Sequence, residues 1–210
     1  AVKVLDVNTG TGIWAIRFAE SNPDSKVIGI DTDRMHPPNH PPNVSFRKVD
    51  VMEGPWKAYE LPEKFDFVHC QLLIPTPINF DCLYQSCFNA LSAGGVLELE
   101  EMRWYICSDD NTIPPKSSLV HWVNMLKCAR QTSYEETKTR LESIVFINVT
   151  FEEVKLPINP GSLKHDQNDI LDASQSEQLP SSWFIPRNKN LAIRVQKEIQ
   201  RVSIHAYFCL

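Results

Sequence analysis

Residues 2–19 read VKVLDVNTGTGIWAIRFA, and this segment predicts a strand, a glycine turn and a helix in succession. Its first half is a run of β-branched and aliphatic residues, whereas the apolar residues from Ile13 to Phe18 follow a near-helical spacing. Gly10 and Gly12 lie between the two halves. Glycine lets a bound group approach the backbone closely, and the amides at the start of a helix attract negative or polar atoms. The turn is therefore predicted to face a ligand.

The acidic residues around this turn narrow the class of ligand. Residues 10–15 also fit a dinucleotide-binding fingerprint with alanine in its last place, so a nicotinamide-dependent reductase is one alternative. Asp6, however, lies on the strand before Gly10, where a dinucleotide-binding fold usually continues with apolar residues. Asp31 ends a second apolar strand, residues 27–31, and such a carboxylate can accept both hydroxyls of a ribose. The pattern favours another nucleoside ligand, and a turn with no ligand is the remaining alternative.

Composition sets limits on the protein and its partners. The chain has 210 residues, 42% of them hydrophobic, which suits a single domain with a well-buried core. Its net charge of −5 provides no positive field for nucleic acid or an anionic membrane. No apolar run reaches the length of a membrane span, and no leader opens the chain. We expect a soluble cytoplasmic protein, with the nucleus as the alternative. Because the chain starts on a strand and stops in an apolar run, we also expect a fragment.

The cysteines and histidines do not predict a metal centre. The six cysteines include no Cys-x-x-Cys pair and have no histidine at ligand spacing, so free thiols and no metal are expected. His36 and His40 flank Pro37-Pro38-Asn39, which we interpret as part of a proline-stiffened loop rather than a metal clip.

The remaining elements complete an alternation of strands and helices. The sequence predicts a proline-rich loop at 32–42, strands at 44–49, 65–70, 96–102, 149–156 and 204–210, helices at 80–91, 117–130, 134–146 and 190–202, a break at 92–95, and a polar, mobile segment at 165–182. Glu100 and Glu101 are expected to end their strand in solvent.

This order predicts an α/β fold, a Rossmann-like three-layer sandwich with a mostly parallel, doubly wound sheet of the seven-strand type. Truncation of the last strand is an open alternative. Residues 1–210 are expected to form one domain, with a nucleotide-binding core at 1–103 and acceptor-side helices and closing strands at 104–210. The ligand should bind at the switch point beside the first strand.

Five stretches, at 9–15, 27–31, 42–46, 65–69 and 203–208, together resemble the LaeA-like branch of fungal class I methyltransferases, which depend on S-adenosyl-L-methionine (SAM). The resemblance implies SAM as cofactor. It places the cofactor-binding residues as follows: Asp6, Asn8, Gly10 and Gly12 at the amino-acid end of SAM, Asp31 with Thr32 at its ribose, Asp50, Val51 and Met52 around its adenine, and Gln71 near the transferring methyl. Asn8 replaces a family glycine, but asparagine tolerates a left-handed backbone.

The resemblance also implies the function. Most members are tied to secondary metabolism, so we expect methyl transfer to a small-molecule acceptor, with neither nucleic acid nor membrane as partner and with any protein partner unknown. No catalytic residue is assigned. His69 and His121 are candidate general bases, although a packed or solvated histidine is the preferred interpretation of each. The rival hypothesis is a degenerate, non-catalytic relative that acts as a regulatory or scaffold protein.

Overall fold

The computed structural model describes residues 1–33, 36–51, 56, 61, 63–71, 79–103, 113–127, 133–156 and 201–209. Strands and helices alternate in the first half of this part of the chain. In order, the elements are β1 (Lys3–Val7), α1 (Ile13–Ser21), β2 (Lys26–Asp31), β3 (Val44–Lys48), β4 (Phe65–Gln71), α2 (Phe80–Ala90), β5 (Leu91–Arg103), α3 (Ser118–Lys127), α4 (Tyr134–Ser143), β6 (Ile147–Leu156) and β7 (Arg201–Cys209).

The strands form one sheet in the order β3-β2-β1-β4-β5-β7-β6. Each neighbouring pair is parallel. The chain builds outward from β1 through β2 to β3, then returns to the other side of β1 with β4. The β1–β4 boundary is therefore the switch point at which open α/β sheets bind ligands. The α/β fold with a mostly parallel sheet is confirmed.

Helices cover both faces of the sheet. On one face α1 packs over the strands through Trp14 and Phe18, which lie in one apolar cluster with Val4 and Phe67. On the opposite face Leu83 of α2 and the inward residues of β1, β2, β4 and β5 build a second cluster. A parallel sheet covered on both faces needs apolar side chains on both, which explains the nearly continuous apolar runs of β1 and β2.

Helix α4 belongs to the second apolar cluster. Its Leu141 is buried there with Phe146, whose ring meets the ring of Phe88 edge to face at 5.2 Å between centroids. Arg140 also bonds to Asp81 of α2, with 2.7 Å between Nη1 and Oδ1. Helix α4 therefore builds the core beside α2, and its place on the acceptor side stays a prediction.

Several element boundaries differ from the prediction. The expected break at 92–95 lies within β5, where the pairing with β4 shifts register beside Phe65 and Gly94 has φ of 80°. Helix α4 ends at Ser143 because Val145 turns left-handed, with φ of 79°. Strand β7 begins at Arg201, inside the predicted last helix. The polar segment at 165–182 and residues 190–200 of that helix lie outside the described residues. No helix in the described part combines the length and apolar character needed to cross a bilayer.

Candidate functional site

The glycine turn joins β1 to α1 at the switch point of the sheet. Asn8, Gly10 and Gly12 all have left-handed backbones, with φ of 60°, 54° and 76°. Two backbone bonds hold the turn: Thr9 N donates to Ile30 O at 3.0 Å, and Gly12 N donates to Thr9 O at 2.8 Å. The prediction that Asn8 adopts the left-handed conformation of a glycine is confirmed.

The two glycines of the turn have different surroundings. A Cβ built on Gly12 would lie 2.5 Å from Cζ of Phe46, whereas one built on Gly10 would meet no atom within 4 Å. Gly12 is therefore required for packing, since the ring of Phe46 lies against it. Gly10 borders open space, as a residue facing a ligand should. Both remain predicted cofactor contacts.

The carboxylate of Asp31 is joined to this turn. Its Oδ2 accepts a hydrogen bond from Gly10 N at 2.8 Å, and its Oδ1 accepts from Asp33 N and Thr32 Oγ1, each at 3.2 Å. An ionised carboxylate offers about four acceptor positions, so one is left on Oδ2 after these three bonds. The residue predicted to bind ribose thus keeps capacity for one hydroxyl, while Thr32 orients the other oxygen.

The predicted adenine-binding segment follows β3 beside the end of β2. Val49 N donates to Asp31 O at 2.9 Å, which brings this segment to the same edge as the turn. Asp50 is exposed there, whereas Val51 is buried in the apolar cluster under the sheet. The side chain of Val51 is therefore part of the core and leaves only its backbone for a ligand. Met52 lies outside the described residues.

Asp6 lies beneath the turn rather than beside an open cleft. Its side chain is on the α1 face and the residue is only 2% exposed. Oδ1 accepts from His69 Nδ1 at 2.8 Å, and Oδ2 accepts from Thr9 Oγ1 at 2.5 Å. Both oxygens of Asp6 therefore already bond protein side chains, and the residue is almost fully buried, whereas Asp50 is exposed. The convergence of Asp6, Asp31 and Asp50 on one ligand stays a prediction. Asp6 supports the turn from below.

His69 is the central residue of this buried polar group. It pairs with Asp6 across β1 and β4, and its ring stacks flat on Trp14 of α1, with centroids 3.7 Å apart and planes at 3°. Its Nε2 lies 3.9 Å from Oε2 of Glu100, an ion-pair distance. Burial alone lowers the pKa of His69, but the carboxylates of Asp6 and Glu100 outweigh burial and raise that pKa to about 10. The expectation that His69 is a packed histidine is confirmed.

The buried polar group around His69 also has the donor atoms of a metal site. His69, Glu98 and Glu100 are buried, and each presents one ligand atom within 4.8 Å of the others. Imidazole and carboxylate donors suit zinc and other divalent ions. A metal would need a lone pair on Nε2, whereas the two carboxylates beside His69 favour the imidazolium form. The absence of a metal stays a prediction.

Comparison with known proteins identifies the family of this chain. Residues 1–148 match the family model described as a methyltransferase domain. The secondary metabolism regulator LAE1 of Cochliobolus heterostrophus is 30% identical to the chain, over 98% of this chain and 73% of that protein. The chain belongs to the LaeA-like class I methyltransferases.

A second curated relative and one solved structure are also similar to this methyltransferase. The protein-methionine methyltransferase laeA of Emericella nidulans is 31% identical over 98% of this chain, but the chain spans only 59% of that protein. An S-adenosylmethionine-dependent methyltransferase from Mesorhizobium loti has a similar structure, with a TM-score of 0.49, 18% identity and coverage of 69% of this chain and 73% of that one.

The two histidines of the proline-rich loop in the methyltransferase sequence pack against Phe46. His36 stacks on Phe46 at 4.2 Å between ring centroids, and His40 meets the same ring edge to face at 5.3 Å. These packed rings agree with the proline-stiffened loop. Of the described cysteines, Cys70, Cys82 and Cys87 are free, as expected.

Sequence reasoning missed the partners of His69 within the methyltransferase core. Glu100 was expected in solvent, but it is buried and accepts from Gln71 Nε2 at 3.2 Å. The alternation Leu97-Glu98-Leu99-Glu100 carried the signal, because acids on one face of an interior parallel strand must be buried. The bond between His69 and Asp6 spans 63 positions in sequence and depends on strand register, which the sequence does not show.

Proposed function

We propose that this chain binds SAM across the ends of β1, β2 and the segment after β3 and transfers its methyl group to an acceptor in secondary metabolism. The observation that carries the proposal is the bond from Gly10 N to the Asp31 carboxylate beside an open turn. It joins the loop expected at the amino-acid end of SAM to the acid expected at its ribose. The family membership supports the same cofactor.

The reaction places few demands on protein side chains. The acceptor attacks the methyl carbon in line, the bond from that carbon to the sulfonium sulfur breaks, and the neutral thioether S-adenosylhomocysteine leaves. Alignment of the two reactants can supply about 7–11 kcal/mol of the barrier. The turn and Asp31 hold the cofactor for this alignment.

The nature of the acceptor follows in part from His69. A hydroxyl acceptor loses a proton, which calls for a base. Of the two candidate bases, His69 is buried and its Nδ1 bonds to Asp6, whereas His121 is exposed on α3. A thioether has no proton to lose and becomes a sulfonium on methylation. The relative from Emericella nidulans is named a protein-methionine methyltransferase. We therefore favour a methionine thioether in a protein and keep a small-molecule acceptor as the alternative.

Two measurements test the proposal. Calorimetry of the full chain should show micromolar binding of SAM and of S-adenosylhomocysteine. Labelled SAM should then transfer its label to protein from a fungal extract, and the label should survive as methylated methionine after digestion. Label found solely in small molecules would select the alternative acceptor. No binding of either nucleoside would overturn the enzyme and support the non-catalytic regulatory or scaffold hypothesis.

A further inference from the structure

A network of polar side chains, buried at its centre, connects the two sides of the candidate cofactor site. Thr9 Oγ1 donates to Asp6 Oδ2, and Asp6 Oδ1 accepts from His69 Nδ1. His69 Nε2 faces Glu100 Oε2 at 3.9 Å, and that oxygen accepts from Gln71 Nε2. Thr9 lies in the glycine turn after β1 and Gln71 ends β4, so this polar network crosses the switch point from beneath.

Packing fixes the position of His69 in this polar network. Its ring lies flat against Trp14 and the residue is completely buried, so the imidazole has little freedom to turn. It approaches Asp6 with one nitrogen and Glu100 with the other. Asp6 in turn has one oxygen for His69 and one for Thr9. Removal of His69 would leave Asp6 buried without this donor, and Asp6 would no longer be held in line with Thr9.

We propose that His69 is a positioning residue for the cofactor, which orients Asp6 so that Asp6 fixes Thr9 and the glycine turn in the binding conformation. The inference rests on the proposed function. His69 touches no cofactor in this scheme and acts through Asp6. Its ion-pair contact with Glu100, at 3.9 Å, extends the same control to Gln71, the residue predicted nearest the methyl group.

Two conservative variants separate positioning from simple packing. In His69→Asn the side-chain amide lies where Nδ1 was and can still donate to Asp6. In His69→Gln the amide lies further out, where Nε2 was, and the donor to Asp6 is lost. By calorimetry on the full chain, the Kd for SAM should stay within about threefold of wild type for H69N and rise about tenfold for H69Q. Val68→Ala, on the same strand but facing the opposite core, is the control for destabilisation and should leave the Kd unchanged.

A double-mutant cycle tests the route through Asp6. Thr9→Val keeps the shape of Thr9 but removes the hydroxyl that donates to Asp6. If His69 acts through Asp6 on Thr9, T9V combined with H69Q should bind SAM about as weakly as the weaker single variant, rather than with multiplied losses. A merely structural role predicts multiplied losses.

The outcomes distinguish the two proposals. If the wild-type chain binds neither SAM nor S-adenosylhomocysteine, the proposed function fails. If wild type binds SAM while H69N and H69Q bind alike, or the cycle shows independent effects, the positioning role fails and the function stands. A stoichiometric divalent metal in wild type that is lost in H69Q would also overturn the role, since Nε2 would then be a ligand.

Discussion

The backbone amide of Gly10 donates to Oδ2 of Asp31 at 2.8 Å, so the turn after β1 is joined to the end of β2. The two residues are 21 positions apart in sequence. An acid at the end of β2 therefore does two things: it shapes the glycine turn and leaves an oxygen position at the edge where a ribose is expected. Loss of this acid should affect both.

Asp31→Ala removes the acceptor for Gly10 and the predicted partner of the ribose. The Kd for SAM should rise about tenfold or more, because a charge-assisted hydrogen bond contributes about 1.5–3 kcal/mol. Calorimetry measures the change. Asp33→Ala is the matched control: it removes an exposed neighbouring acid while its backbone amide still donates to position 31, so its Kd should equal that of wild type. Binding of NADH by wild type, with loss in D31A, would instead indicate a reductase.

Alanine at the two glycines of the turn should change stability and SAM binding in opposite order of size. Gly12→Ala places a methyl group 2.5 Å from the Phe46 ring at a left-handed φ, so the free energy of unfolding should fall by about 2–4 kcal/mol. Gly10→Ala has the same backbone strain but open space, so its loss should be about 1–2 kcal/mol. SAM binding should show the reverse order, because the new methyl at position 10 enters the ligand side.

Urea unfolding and calorimetry measure these two effects. Phe46→Leu should recover part of the stability lost in G12A, because the smaller side chain relieves the contact. Equal stability losses in G10A and G12A would contradict the packing role of Phe46. Unchanged SAM affinity in G10A would remove this face of the turn from the cofactor site.

Asn8 could be interpreted correctly from sequence because its effect is local. Asparagine tolerates a left-handed backbone, and φ of 60° follows from the turn alone. The alternation of strands and helices, the mostly parallel sheet and a switch point beside the first strand could also be predicted, since the apolar runs and their order indicate a doubly wound fold. The buried bond between His69 and Asp6 could not, because it depends on the register of two strands and on a flat contact with Trp14. The solvent position assigned to Glu100 was wrong because β7 pairs with β5 and makes β5 an interior strand of the sheet.

Asn8→Gly tests whether asparagine weakens the site. The free energy of unfolding should change by less than about 1 kcal/mol, because glycine relieves left-handed strain but gains freedom in the unfolded chain. SAM binding should tighten if the asparagine side chain crowds the cofactor. Asn8→Ala is the contrast and should lower the free energy of unfolding by about 1–2 kcal/mol. Alanine is strained in the left-handed conformation and has no side-chain hydrogen bond to offset that strain. Measurable SAM binding in N8G and none in wild type would support the degenerate relative.

The raised pKa of His69 predicts how stability depends on pH. Asp6 and Glu100 raise this pKa from 6.5 to about 10, so the folded protein holds a proton that the unfolded chain releases above pH 6.5. The contribution to stability is complete below pH 6.5 and decreases as pH rises toward 10. Burial also raises the pKa of the Cys70 thiol above 9.0. Cys70 therefore adds a loss of stability above about pH 9, so the His69 effect should be measured below that pH.

Urea unfolding at pH 6.5, 7.5 and 8.5 isolates the histidine. Wild type should lose stability steadily across this range, at a slope approaching about 1.4 kcal/mol per pH unit for one proton. His69→Asn titrates nothing there and should give a flatter dependence, while Cys70→Ala should keep the wild-type slope. A flat wild-type profile would show that His69 is neutral in the folded protein. Its single ring proton would then lie on Nδ1, and Nε2 would present a lone pair toward Glu98 and Glu100. That result would favour the metal at this cluster over the buried imidazolium.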